Sequence, residues 1–215
     1  MKVSDFMSKN LIYISPETTL TEAKALMTKE KVNKLPVLDK SKKLVGIVTK
    51  NDLQKASPSA VSTLDIYELG YVLSKLKVEK FMVKNVVTID SDEVIEEAAR
   101  VMADSKVGCL PVMHDGYLTG IITETDIFKA FVSMFGAAQP GVRVVLELAE
   151  KPGELAKIVT AIAEKNGNIV SLVTANGNDV THRCVTLKIG NLSKSAVEEV
   201  LKNETAKIFD IREIK

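Results

Sequence analysis

A chain of 215 residues, 46% hydrophobic and 27% charged, can bury a real core in one or two domains, which excludes disorder as its main state. Lys and Arg number 29 against 28 Asp and Glu, a net charge of +1, so no global field attracts nucleic acid or an anionic membrane. No apolar run approaches the roughly 20 residues of a spanning helix, and no leader or lipid anchor is expected, so the chain reads as soluble and cytoplasmic.

The chemistry-bearing residues are sparse. Cys109 and Cys184 sit in strand-like runs outside any metal-ligand spacing, as small buried hydrophobes do. His114 opens a His-Asp-Gly hairpin turn, and His182 falls in the alternating run Val180–Val185. There is no nucleophile elbow, no phosphate loop and no HExxH. No catalytic or metal site is expected, and the chain does not read as an enzyme.

An internal repeat organises the first two thirds. Val3, Phe6, Met7, Lys9 and Asn10 recur as Val78, Phe81, Met82, Lys84 and Asn85. Glu22-Ala23 with Met27 recurs as Glu97-Ala98 with Met102, Lys31-Val32 as Lys106-Val107, and Leu35-Pro36-Val37 as Leu110-Pro111-Val112. Gly46, Ile47, Thr49 and Asp52 match Gly120, Ile121, Thr123 and Asp126. Roughly twenty identities fall in about fifty aligned positions, at an offset of about 75 residues that shortens by one in the turn after Val37.

Each copy parses alike. A strand (Leu11–Ile14, Val86–Ile89) leads through a turn into a helix whose apolar positions are Leu20, Ala23 and Met27, or Ile95, Ala98 and Met102. Two strands follow, Leu35–Leu38 with Leu44–Thr49 and Leu110–Met113 with Tyr117–Thr123. Asp52 and Asp126, as N-caps, would then open a last helix. One β-α-β-β-α unit leaves a sheet face bare, so the two copies are expected to pack as a pseudo-symmetric pair.

The Phe-Met start, the Leu-Pro-Val strand and the Gly-Ile-Val/Ile-Thr-x-x-Asp end, each present twice, resemble a tandem pair of CBS motifs, a Bateman domain. The resemblance implies two clefts for an adenosine-containing ligand: AMP, ADP, ATP or S-adenosylmethionine. It implies that Thr49 and Thr123 meet phosphate, that Asp52 and Asp126 accept the ribose hydroxyls, and that Pro36 and Pro111 border the clefts. From residue chemistry, a carboxylate can accept both hydroxyls, while the same Asp read from spacing alone serves equally as a helix cap. Lys34 and Lys50, against Cys109 and Glu124 in the second copy, would make the cleft of Thr49 and Asp52 the one that prefers polyphosphates.

The segment 57–77 reads as a linker with a breaker at Ser57-Pro58-Ser59 and a helix over Leu64–Leu73. The repeats therefore occupy 1–56 and 78–135, and 136–141 leads to a third region, 142–215. There, Val142–Leu148, a helix from Leu155, Asn168–Ala175, Val180–Ile189, a helix over Ser193–Lys202 and Lys207–Ile214 give the order βαββαβ, a ferredoxin-like split βαβ. The fold class is α+β.

The run Glu150-Lys151-Pro152-Gly153-Glu154-Leu155, with Asn168-Ile169 after the helix, resembles an ACT domain. That resemblance implies an amino acid bound between two paired copies, with Gly153, Glu154, Leu155, Asn168 and Ile169 as its contacts. A CBS pair followed by an ACT domain also resembles the bacterial acetoin-utilisation group. Together these imply a homodimeric, non-catalytic regulatory sensor with no required cofactor, acting on a protein target the sequence does not name. The alternatives are a structural or partner-binding subunit with vestigial clefts, and an enzyme of acetoin-like metabolites, for which no base or metal ligands are found.

Overall fold

The computed structural model describes residues 1–56, 75–177, 179–202 and 206–215. The helix read over Leu64–Leu73, with Tyr67 and Tyr71, lies outside them. The chain divides into two compact units, Met1–Ile127 and Phe128–Lys215.

In the first unit each repeat begins with one helical turn, α1 (Val3–Phe6) in the first copy and a 3-10 helix at Val78–Lys80 in the second. Then come α2 (Leu20–Glu30), β1 (Lys34–Leu38), β2 (Leu44–Thr49) and α3 (Lys50–Ala56). Their counterparts are α4 (Ile95–Ser105), β4 (Cys109–His114), β5 (Tyr117–Thr123) and α5 (Glu124–Met134), with β3 (Ile89–Asp90) ahead of them. The boundary between the units falls inside α5. Leu20, Ala23 and Met27 are buried, as are Ile95, Ala98 and Met102, so the helical spacing marked the core faces.

The leading strands are shorter than the sequence implies. Leu11–Tyr13 and Val86–Thr88 join no ladder. Ile14 alone bridges Val37 in parallel, and Ile89–Asp90 pairs with Val112–Met113. These segments meet the sheet for only one or two residues before the next turn carries the chain away.

The repeats are joined by reciprocal exchange of their first segments. Ser8 pairs with Ile121 of the second copy, and Val83 pairs with Ile47 of the first. Lys2 bridges Val94, and Thr19 bridges Lys77. Val3 N–H donates to Glu93 O at 2.8 Å, matched by Val78 N–H to Thr18 O at 2.8 Å. Val78 is fully buried within the core cluster of the first repeat. The first copy therefore does not complete its core without the second.

The hairpins differ as the one-residue offset requires. Asp115 (φ 50°) and Gly116 (φ 80°) form a two-residue left-handed turn between His114 and Tyr117. The first copy has a longer turn, in which Asp39 Oδ1 accepts from Ser41 N–H and Lys43 N–H.

The second unit holds β6 (Gly141–Ala149), α6 (Glu154–Glu164), β7 (Asn168–Asn176), β8 (His182–Gly190), α7 (Lys194–Lys202) and β9 (Lys207–Ile214). The strand order β7-β8-β6-β9, antiparallel throughout, is ferredoxin-like. Alternate residues Val142, Val144, Leu146 and Leu148 bury one face beneath Ile158, Ile162, Val197 and Leu201. On β8, Lys188 is only 4% exposed, and its Nζ donates to the carbonyls of Gly136 (2.6 Å) and Ala137 (3.5 Å).

Candidate functional site

Segment exchange builds a cleft from both repeats. A cavity of about 290 Å³ is lined by Asn10, Leu11 and Ile12, by Lys31–Lys34 and Pro36, and by Ser8, Ile121, Thr123 and Thr125. The first copy supplies an apolar wall, and the second supplies the hydroxyls at the start of α5. Leu11 and Ile12 are therefore cleft residues, freed from a ladder to line it.

At the entrance to each last helix the expected cap is displaced by three residues. Thr49 precedes α3 and Asp52 is its third residue; Thr123 and Asp126 stand in the same relation to α5. Asp52 Oδ2 accepts from Thr49 N–H (2.8 Å) and Thr49 Oγ1–H (2.7 Å), and Thr49 Oγ1 accepts from Asp52 N–H (3.3 Å). Asp126 Oδ2 accepts from Thr123 N–H (3.0 Å) and Thr123 Oγ1–H (2.7 Å). Thr49 is thus the cap, locked by Asp52 in a capping box, and Asp126 accepts from Thr123 in the same way. Each hydroxyl proton goes to the aspartate, so in this arrangement the threonine's role is to hold a half-buried carboxylate in place.

The lysines also fall differently from the sequence reading. Lys34 lines the cleft of Thr123 and is at the same time the cross-strand partner of Thr49. Its Nζ donates to the carbonyl of Gly108 in the second copy. A Cβ on Gly108 would lie 3.3 Å from Lys34 Nζ and 2.9 Å from Glu124 Oε2, so an ammonium and a carboxylate converge on one glycine. Burial pushes the Cys109 thiol up, against the charge of Lys34 and a hydrogen bond from it. Lys50 lines a separate groove between α2 and α3. Pro36 is buried and lines the Thr123 cleft, while Pro111 is buried opposite Ile121.

In the second unit, Gly153 takes φ 91° as the residue before α6, which explains a glycine there. Glu154 lines a cavity of about 380 Å³ with Glu147, Lys151, His182 and Lys207. Leu155 packs against the core. Asn168 and Ile169 pair with Gly190 and Ile189, whereas Ala149, near Gly153, pairs with His182. The two parts of the expected amino-acid site are thus eight residues apart along β8, about 27 Å, and one copy does not assemble them.

One grouping was invisible in sequence. Asp90, Asp92 and His114 bring ligand atoms within 4.8 Å of one another, all exposed. Lys2 Nζ donates to Asp92 Oδ1 at 2.7 Å and neutralises it.

A family model for the CBS domain matches residues 3–59 and 78–133, and a model for a TTHA0829-like ACT domain matches 140–212. The chain belongs to the CBS domain family. It is a tandem CBS pair followed by an ACT domain. A CBS domain-containing protein from Dictyostelium discoideum is 32% identical over 139 residues, 64% of this chain and 96% of that protein. The L-aspartate semialdehyde sulfurtransferase of Methanocaldococcus jannaschii is 31% identical over 130 residues, 60% of this chain but 23% of the enzyme.

Solved structures agree. The CBS domain pair of protein MJ0100, in complex with 5′-methylthioadenosine and S-adenosyl-L-methionine, is 30% identical (TM-score 0.51) over 61% of this chain and 95% of that one. CBSX2 in complex with AMP is 31% identical (TM-score 0.50) over 61% and 96%. A putative acetoin utilization protein from Vibrio cholerae is 28% identical (TM-score 0.53) over 64% and 95%. Among the described residues no helix is long and apolar enough to cross a membrane.

Proposed function

We propose that this chain is a non-catalytic regulatory sensor whose CBS pair binds an adenosine-containing ligand, an adenine nucleotide or S-adenosylmethionine, in the clefts between the repeats. The observation that carries this reading is the pair of aspartates, each fixed through one oxygen by its threonine at the start of a helix. The Asp126 carboxylate, bonded to the cleft residue Thr123, can accept a ribose diol while the apolar wall of Leu11, Ile12 and Pro36 receives the base. The bound ligands of the two similar CBS pairs support the same chemistry. Because Lys31 and Lys34 line the cleft of Thr123, that cleft is the one assigned to a phosphorylated ligand, the reverse of the order expected from sequence.

The ACT domain would pair two chains into a homodimer and hold an amino acid between them, since only a second copy can bring an Asn168 edge to a Gly153 turn. Ligand would act by favouring one arrangement of the chain through differential affinity. Thermal shift with AMP, ADP, ATP, NAD and S-adenosylmethionine tests the reading. A selective ligand at about 100 times its Kd stabilises the native state by about 2.7 kcal/mol, several degrees in Tm. Failure of every adenosine compound to raise Tm would refute it.

A further inference from the structure

The groove between α2 and α3 is a second cavity, of about 350 Å³, and its lining is one-signed. Met27, Val32 and Leu53 form an apolar floor; Lys24, Lys31 and Lys50 stand around it, and among the described residues no carboxylate lines it. None of the three ammonium groups makes an ion pair among the described residues. Three exposed cations around one apolar floor give the groove a positive potential that favours an anion entering it.

The fold does not require these lysines. In the second repeat the same helices carry Ala99, Lys106 and Glu124 at the three positions, one cation and one anion, over the equivalent apolar residues Met102, Val107 and Ile127. The repeat is thus its own control: one backbone and one apolar floor, with the cationic rim on the first copy only. Lys31 is held in place at the end of α2 by a left-handed backbone (φ 55°).

We propose that this groove is a binding site for a small organic anion, an apolar body on Met27, Val32 and Leu53 with a phosphate or carboxylate among the lysines. The site does not rest on nucleotide binding. It shares only the Lys31–Asn33 segment with the Thr123 cleft.

The test is an amide NMR titration of the full-length protein with n-hexyl phosphate, inorganic phosphate and hexan-1-ol. Thr28 and Gln54 report the groove, and Asn10 and Thr125 report the cleft. Hexyl phosphate should move Thr28 and Gln54 saturably and leave Asn10 and Thr125 in place; phosphate should bind more weakly, and hexanol should not bind. Lys24→Ala/Lys50→Glu gives the groove the charges of the second repeat, which that fold tolerates, and should weaken binding at least about tenfold. Equal binding by the variant, equal binding of hexanol, or shifts confined to Asn10 and Thr125 would overturn the proposal. So would absence of binding, with or without a change in the variant's sedimentation; such a change would mark the lysines as a protein contact.

Discussion

Met7, in the leading segment of the first repeat, lies directly over Gly120 in the last strand of the second, and Met82 lies over Gly46 in the reciprocal arrangement. A Cβ on Gly46 would come within 2.6 Å of Met82 Sδ and 3.1 Å of the Val83 carbonyl oxygen. The methionine can yield, but the carbonyl belongs to the Ile47–Val83 bridge and cannot without opening the exchange. Gly46→Ala and Gly120→Ala should each destabilise by about 1–3 kcal/mol through overpacking. Met7→Ala combined with Gly120→Ala should cost less than the sum of the single changes. Denaturant melts of the four proteins measure this, and strict additivity would mean that the two residues are not coupled.

Lys34 ties the two repeats together through the Gly108 carbonyl. Lys34→Met keeps the stem and removes the charge-assisted bond, and should destabilise by about 1–3 kcal/mol. Urea denaturation would show it; unchanged stability would mean the bond contributes nothing in solution.

Cys109 should resist alkylation, because it is buried and its thiol is held above the usual range, whereas Cys184 is half-buried. Iodoacetamide at pH 8 with mass-spectrometric mapping should label Cys184 first. Faster labelling of Cys109 would contradict the placement of β4.

Asp179 sits where the β7–β8 turn rejoins β8. Its carboxylate accepts from Thr181 Oγ1 and from Thr181 N–H (2.7 Å), with His182 Nδ1 at 3.0 Å. These bonds, the Thr181 hydroxyl first, lower its pKa from 3.8 to about 2. A carboxylate with a depressed native pKa adds stability above its unfolded value, and that stability is lost as pH falls from near 3.8 towards 2. Carboxyl carbon NMR should give a midpoint near 2, and Asp179→Asn should abolish that part of the acid dependence. A midpoint near 3.8 would contradict the hydrogen bonding.

The repeat was legible because its apolar spacing and turn residues carry local physics. Met27 and Met102, or the His-Asp-Gly turn, need only their neighbours to be read. What the sequence concealed is long-range. The exchange pairing Ser8 with Ile121 sets residues more than a hundred positions apart, and it decides that Lys34 faces Thr123. Asp52 and Asp126 were visible as helix-start residues, but their position within the capping box depends on where the strand hands over to the helix. Lys188 alternates with the core residues Leu187 and Ile189 on β8, and only the distant carbonyls of Gly136 and Ala137 explain its burial.

Calorimetric titration of AMP and S-adenosylmethionine into the parent, Asp52→Asn, Asp126→Asn and the double variant is the most direct test of the sensor reading. Asparagine keeps an oxygen for the threonine and so preserves the helix start, which circular dichroism would verify. Each lost charge-assisted bond is worth roughly 1.5–3 kcal/mol, or about tenfold to a hundredfold in affinity. The account predicts binding by the parent, one affected site in each single variant, and no measurable binding by the folded double variant. A folded double variant that binds as tightly as the parent would contradict it.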